Sequence, residues 1–215
     1  MMLGSQHMLK HGEKRWVFKI SHAGTEDKFI KTLFPKKMRG LKILDVGHGY
    51  GSTGLYIRSR LNLNEWSILD GLEVYKPYHD LQAKMSIYDG LWLADARDMS
   101  MIKDGAYNIS IGQHVVEHLG KDDGVIMLAG MERVTSDRVI VCTPNGYTES
   151  GPLDDNEHNN HLHGWNREDF EILGYKTEVV TKNVNSRLLS GFAKLVFWVR
   201  RKRWENEVIV AWKDV

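Results

Sequence analysis

A strand that runs into three alternating glycines constrains this chain more than any other stretch of it. Residues 41–47, Leu-Lys-Ile-Leu-Asp-Val-Gly, are a short apolar run, and Gly47, Gly49 and Gly51 occupy alternate positions at its end. Ser52 to Arg60 then has helix-compatible spacing, so the segment reads as strand, tight turn, helix. Glycines at such a turn let the backbone bend sharply and approach a ligand closely at the carboxyl end of a sheet. Two registers are open. Gly49 to Gly54, GYGSTG, satisfies the dinucleotide pattern GxGxxG and brings a nicotinamide-dependent oxidoreductase into view. That register forces Gly47 and His48 into the strand, where glycine weakens pairing, so the turn more naturally begins at Gly47. Asp45, at the end of the strand, is poorly placed to face a pyrophosphate. A carboxylate there suits a ligand bearing an amino group and a sulfonium, or it serves to accept the hydrogen bonds that hold the loop in shape.

The same unit recurs along the chain. SILDGLEVY from Ser67 reads as a strand, YNISIGQ from Tyr107 as another, and VVEHL as the opening of the next helical stretch. A helix is expected over Asp122 to Val134, and RVIVCTP from Arg138 is a buried strand stopped by Pro144. Strands alternating with helices argue for a parallel sheet. After a long polar loop, 145–166, REDFEILGY looks like a short helix with a glycine stop, followed by strands YKTEVVT and ENEVIVAWK. Trp66, Trp92 and Phe170 are read as core.

At 215 residues and 42% hydrophobic content the chain can bury one sizeable core, so one domain over residues 1–215 is expected. Lys plus Arg (29) nearly balance Asp plus Glu (28), and no whole-molecule field marks nucleic acid as a partner. Cys142 is the only cysteine, which excludes an internal disulfide and a thiolate metal cluster and suits a reducing compartment. The first residues, to Lys14, have no apolar stretch of signal-peptide length, and a cytoplasmic protein is expected.

LDVGHGYG resembles the first motif of the class I S-adenosylmethionine-dependent methyltransferases, and the resemblance continues in order over most of the chain. It implies an α/β, Rossmann-like, mostly parallel seven-stranded sheet with helices on both faces and the last strand antiparallel. It also implies S-adenosyl-L-methionine as cofactor, held by Asp45 and the loop glycines Gly47, Gly49 and Gly51. Glu73, beside Val74 in LDGLEVY, would bind the ribose hydroxyls. Asp95 and Ala96 in LADARD would read the adenine, with Asp98 as the neighbouring alternative. In ISIGQHVVEHL, Gly112, Gln113 and His114 would line the methionine end. TPNG and HLHGWNREDF resemble a subgroup acting on small molecules, sugars or lipid-linked groups, which puts Asn145, His161 and Trp165 beside the acceptor. Trp165 could instead anchor the loop in an apolar slot. His48 stands where a smaller residue is usual, and Asn108 where an Asp is common; the latter is read as a brace. Besides the oxidoreductase, a non-catalytic cofactor-binding descendant of the family is the other alternative to a methyltransferase.

An oxygen acceptor benefits from a general base, for which His161 and His114 are the candidates. Glu117 and His118 are read chiefly as structural. His158, His161 and His163 invite a metal reading, but no cysteine or regular ligand frame surrounds them, and no metal is expected. No Asn-Pro-Pro-Tyr type motif follows the fourth strand, so DNA is not expected as substrate. An insertion at about 185–204 carries an apolar run followed by Arg200, Arg201, Lys202 and Arg203. At about twelve residues the run is short of the roughly 20 that span a bilayer. Two readings stay open for 188–203: peripheral contact with the inner membrane face, or packing on the sheet edge or in a homodimer.

Overall fold

The computed structural model describes residues 25–36, 39–61, 63, 66–152, 154–181 and 207–215. Seven strands, β1 (Lys42–Val46), β2 (Ile68–Glu73), β3 (Gly90–Leu93), β4 (Tyr107–Gln113), β5 (Thr135–Pro144), β6 (Lys176–Thr181) and β7 (Glu207–Asp214), form one sheet in the order β3-β2-β1-β4-β5-β7-β6. β1 to β5 are parallel, and β7 enters antiparallel between β5 and β6. The mostly parallel sheet expected from the sequence is therefore present, with its final strand reversed. Among the described residues five helices accompany it: α1 (Thr25–Leu33), α2 (Ser52–Arg60), α3 (Lys76–Met85), α4 (Lys121–Val134) and α5 (Arg167–Ile172).

The near-continuous apolar strands have a simple cause, since both faces of the sheet are covered. Successive residues alternate between two cores. Leu44, Val46, Val139, Val141, Ile209 and Ala211 face the core that holds Met127, Met131 and Phe170 of α4 and α5. Ile43, Ile140, Cys142, Val208 and Val210 face the other, with Ile30 of α1 and Ile57 of α2. From β1 the chain winds outward to β2 and β3, then returns to place β4 on the other side of β1. Such a reversal leaves a crevice beyond the carboxyl ends of the strands, where α/β folds of this kind bind ligands.

Local differences from the sequence reading have physical causes. VVEHL does not open a helix; Val116–His118 is one 3-10 turn, Leu119 is extended, and α4 begins at Lys121 after Gly120. Val116 is fully buried, which draws this segment into the core before the helix can start. Trp66 is not core: it lies in the α2–β2 connection, ahead of the strand, and is 63% exposed. Phe170 is fully buried, and Trp92 packs partly buried with its Nε1 donating to the Tyr107 hydroxyl at 3.1 Å. Asn108 is a brace: its Oδ1 accepts from the Lys42 amide at 3.0 Å and its Nδ2 donates to Asp137 on β5 at 3.2 Å. α5 is held by a capping box between Asn166 and Asp169 and is stopped by Gly174 at φ 84°. Among the described residues no helix is long and apolar enough to cross a membrane. The insertion at 185–204, with its membrane and dimer readings, lies outside the described residues.

Candidate active site

A cavity of about 500 Å³ opens at the carboxyl ends of β1 to β4. Its walls are the glycine loop after β1, Glu73 and Val74 at the end of β2, Asp95 to Arg97 after β3, Gln113 to Val115 and Glu117 to Leu119 at the end of β4 and beyond it, and residues from Ser150 to His161 of the long loop. That volume lies in the range of pockets that enclose small ligands.

The loop begins where the strand stops. Gly47, Gly49 and Gly51 all have positive φ (68°, 50° and 77°), so a side chain at any of them would be strained. The amides of Gly47 and His48 both donate to the Leu72 carbonyl, at 2.8 and 3.2 Å, folding the turn across the end of β2. The three glycines are not equivalent. A Cβ on Gly47 would collide with Val115, and one on Gly51 with Gln82 at 2.6 Å, whereas Gly49 faces open space. Gly51 does not line the cavity; it starts α2, and only Gly47 and Gly49 border the ligand space.

Glu73 ties this loop to β2. One carboxylate oxygen accepts from the Gly49 amide at 2.9 Å and the other from the Tyr75 amide at 2.8 Å. The side chain is nearly buried yet borders the cavity, and burial raises its pKa despite those amide donors. Asp45 lies beneath the loop, outside the cavity lining, with Oδ2 accepting from the Tyr88 hydroxyl at 2.6 Å. Complete burial pushes its pKa up to about 7, against the hydrogen bond from Tyr88. Its place fits loop support, the second of its two sequence readings. His48 is 4% exposed, its ring against Tyr88, and burial lowers its pKa to about 4.

Beyond β3, Asp95 borders the cavity beside Ala96, but its carboxylate is already engaged by Arg97, at 2.6 Å from Nη2, and Arg97 in turn reaches Asp123 at 3.0 Å. That pairing holds the Asp95 carboxyl below the usual range. Asp98 caps the Ser100 amide at 3.0 Å and does not reach the cavity. Gln113 lines the cavity and accepts from Thr53 at 2.9 Å, linking β4 to α2. Gly112 does not line it; a Cβ there would meet Met127 at 3.3 Å, so its small size serves the packing of α4 on β4.

At the opposite end the long loop folds back over β4. The amides of Leu162 and His163 donate to the Glu117 carbonyl at 2.8 and 3.2 Å, which brings His161 to the 3-10 turn. His161 and His118 meet edge to face with ring centroids 4.9 Å apart. His114, held at φ 57°, places its Nδ1 3.0 Å from the buried Glu117 carboxylate, whose other oxygen accepts from Thr143 at 3.0 Å. The expectation that Trp165 faces the acceptor is not met. It is fully buried against Phe170, with the Lys121 ammonium 3.7 Å from its ring centre. Asn145 likewise points elsewhere, its Nδ2 donating to Glu207 at 2.7 Å. Both fasten the loop, because each stands at the Asn145–Trp165 bridge that closes its two ends.

The sequence reading passed over several wall residues. Tyr50 and Tyr78 meet at a tilt of 43° with ring centroids 4.4 Å apart, and Tyr78 Oη donates to Asp154 at 3.1 Å while accepting from Asn159 at 3.2 Å. The aromatics that follow Glu73, in VYKPYHD, were the available signal.

No protein-family model matches the chain, and no curated protein matches it by sequence. Solved structures do match in fold. A chain of the complex between the Haloferax volcanii Trm112 methyltransferase activator and its assigned methyltransferase superposes with TM-score 0.62 at 14% identity, covering 87% of this chain and 86% of that one. A SAM-dependent methyltransferase from Aquifex aeolicus gives 0.56 at 13% identity, covering 89% and 90%. Geranyl diphosphate C-methyltransferase from Streptomyces coelicolor A3(2), crystallised with Mg2+, geranyl diphosphate and S-adenosyl-L-homocysteine, gives 0.58 at 14%, covering 88% and 79%. At such identities the likeness is one of fold.

Proposed function

We propose that this chain transfers a methyl group from S-adenosyl-L-methionine to an oxygen or nitrogen of a small-molecule, glycan or lipid-linked acceptor. One observation carries the reading: Glu73 closes β2 directly under the Gly49 amide, and the space over Gly49 is open, so a ligand can lie against bare backbone beside a buried carboxylate. A ribose diol fits there, because each Glu73 oxygen keeps a lone pair beyond the amide it accepts from. Gly47 and Gly49 would admit the cofactor, Gln113 would stand near its methionine end, and Ala96 and the Tyr50–Tyr78 pair would flank its base. When bound, the cofactor supplies a methyl group on a positively charged sulfur.

The chain's own part is to position the acceptor and keep water out, which for a direct displacement is most of what catalysis requires. His161 and His114 border the acceptor end. Each has its Nδ1 engaged, by the Thr148 carbonyl at 2.6 Å and by Glu117 at 3.0 Å, which leaves Nε2 as the lone-pair nitrogen to receive an acceptor proton. His161→Ala is expected to lower turnover while leaving cofactor affinity nearly unchanged. The assay is cell extract incubated with protein and methyl-labelled cofactor, followed by mass spectrometry, in parallel with calorimetry. Loss of cofactor binding in this variant would make His161 part of the nucleoside site, and unchanged turnover would move the proton acceptor to His114.

A further inference from the structure

We propose that Glu117, His118 and His161 form a binding site for a divalent first-row transition ion of the Zn2+ type, set in the wall of the cavity where the acceptor enters. One candidate ligand atom from each residue lies within 4.8 Å of the other two. That spacing suits two imidazole nitrogens and one carboxylate oxygen around a single ion, and the donor set is one that zinc and related ions occupy with a position left open. Mg2+, which prefers oxygen donors, is a poor match.

The groups behind the ligands support the same reading. A metal-bound imidazole commonly donates its remote N–H to a backbone carbonyl or carboxylate, which fixes the tautomer and aims the other nitrogen. Both histidines are held this way. His118 Nδ1 lies 3.2 Å from the Asn160 carbonyl, and His161 Nδ1 lies 2.6 Å from the Thr148 carbonyl. Each Nε2 is thereby left as the coordinating nitrogen. Glu117 is 2% exposed and held from both sides, by His114 and Thr143, so its carboxylate cannot swing away from the two rings. The backbone of the long loop, anchored on the Glu117 carbonyl, carries His161 to its partners.

The site deepens the proposed methyl transfer and rests on it for its purpose: an ion here would grip an acceptor oxygen and polarise it, which selects hydroxyl acceptors over amines. His161 would then serve as a ligand and not as a base.

The test is calorimetric titration of the metal-free full chain with Zn2+, and separately with Mg2+. One equivalent of Zn2+ should bind, with Mg2+ far weaker. His118→Ala and His161→Ala should each weaken Zn2+ by at least about tenfold, or about 1.4 kcal/mol, and Glu117→Gln should do so while its shape is kept. His163→Ala, on the same loop but outside the trio, should bind as the parent does. Circular dichroism and thermal unfolding identify any variant that fails to fold; the Gln and His163 variants then carry the comparison. Absence of Zn2+ binding in the parent, or equal binding in well-folded trio variants, would overturn the site. Titration of the same protein with S-adenosyl-L-methionine is read independently, so Zn2+ binding without cofactor binding would keep the ion and remove the methyl-transfer reading.

Discussion

Asp45 and His48 sit three residues apart under the glycine loop, both in contact with Tyr88, and their burial has opposite consequences for stability. Asp45 rises from 3.8 to about 7, so the folded protein holds a proton that the unfolded chain gives up, and stability is lost as pH rises from about 4 to about 7. His48 falls from 6.5 to about 4, so the unfolded chain takes a proton the folded protein refuses, and stability is lost as pH falls from 6.5 towards 4. Across the shared window the two slopes, each about 1.4 kcal/mol per pH unit, oppose one another. Asp45→Asn should therefore gain stability relative to the parent as pH rises from about 4 to 7, and His48→Gln should lose it relative to the parent over about 4 to 6.5. Denaturant titrations at several pH values read both differences; parallel curves for parent and variants would show that neither group titrates as its burial requires.

The long loop is the element on which the acceptor end depends, and Trp165 is its anchor. The ring is fully buried between Phe170 and the Lys121 ammonium, and its backbone carbonyl accepts from the Gly146 amide at 2.7 Å. Trp165→Ala should cost about 3–5 kcal/mol in denaturant unfolding, the range for emptying a large aromatic site, and should abolish turnover by releasing His161. A loss below about 1 kcal/mol would mean that the loop is held by its polar contacts alone. This element also marks the limit of what the sequence discloses. The glycine turn and the alternation of strands with helices were legible because each is set by adjacent residues within one local unit, and Glu73 was placed by the family resemblance of its motif. The trio at the acceptor end was not, since His161 is far from Glu117 and His118 in the chain and reaches them through backbone bonds of its loop to the Glu117 carbonyl and the contact of His118 with the Asn160 carbonyl. Reading His161 with His158 and His163 followed chain proximity, whereas the fold pairs it with His118. Trp165 and Asn145 were placed at the acceptor by the family resemblance of their motifs, although their apolar and carboxylate partners hold them away from the cavity, at the base of the loop. Trp66 misled by residue type alone.

At the scale of the whole molecule, the order β3-β2-β1-β4-β5-β7-β6 turns back between β1 and β4, and the crevice so formed gathers the glycine loop, Glu73 and Gln113 on one side and the histidines on the other. The central claim is that this crevice binds S-adenosyl-L-methionine. Calorimetric titration of the purified chain with that cofactor, with NAD as the competing ligand, tests it most directly. One equivalent of S-adenosyl-L-methionine should bind and NAD should not. Gly49→Leu should abolish binding, because its side chain would fill the open space over the loop. Glu73→Ala should weaken binding by about 1.5–3 kcal/mol, the scale of a hydrogen bond to a charged acceptor. Unchanged affinity in both variants, or binding of NAD in place of S-adenosyl-L-methionine, would contradict the account.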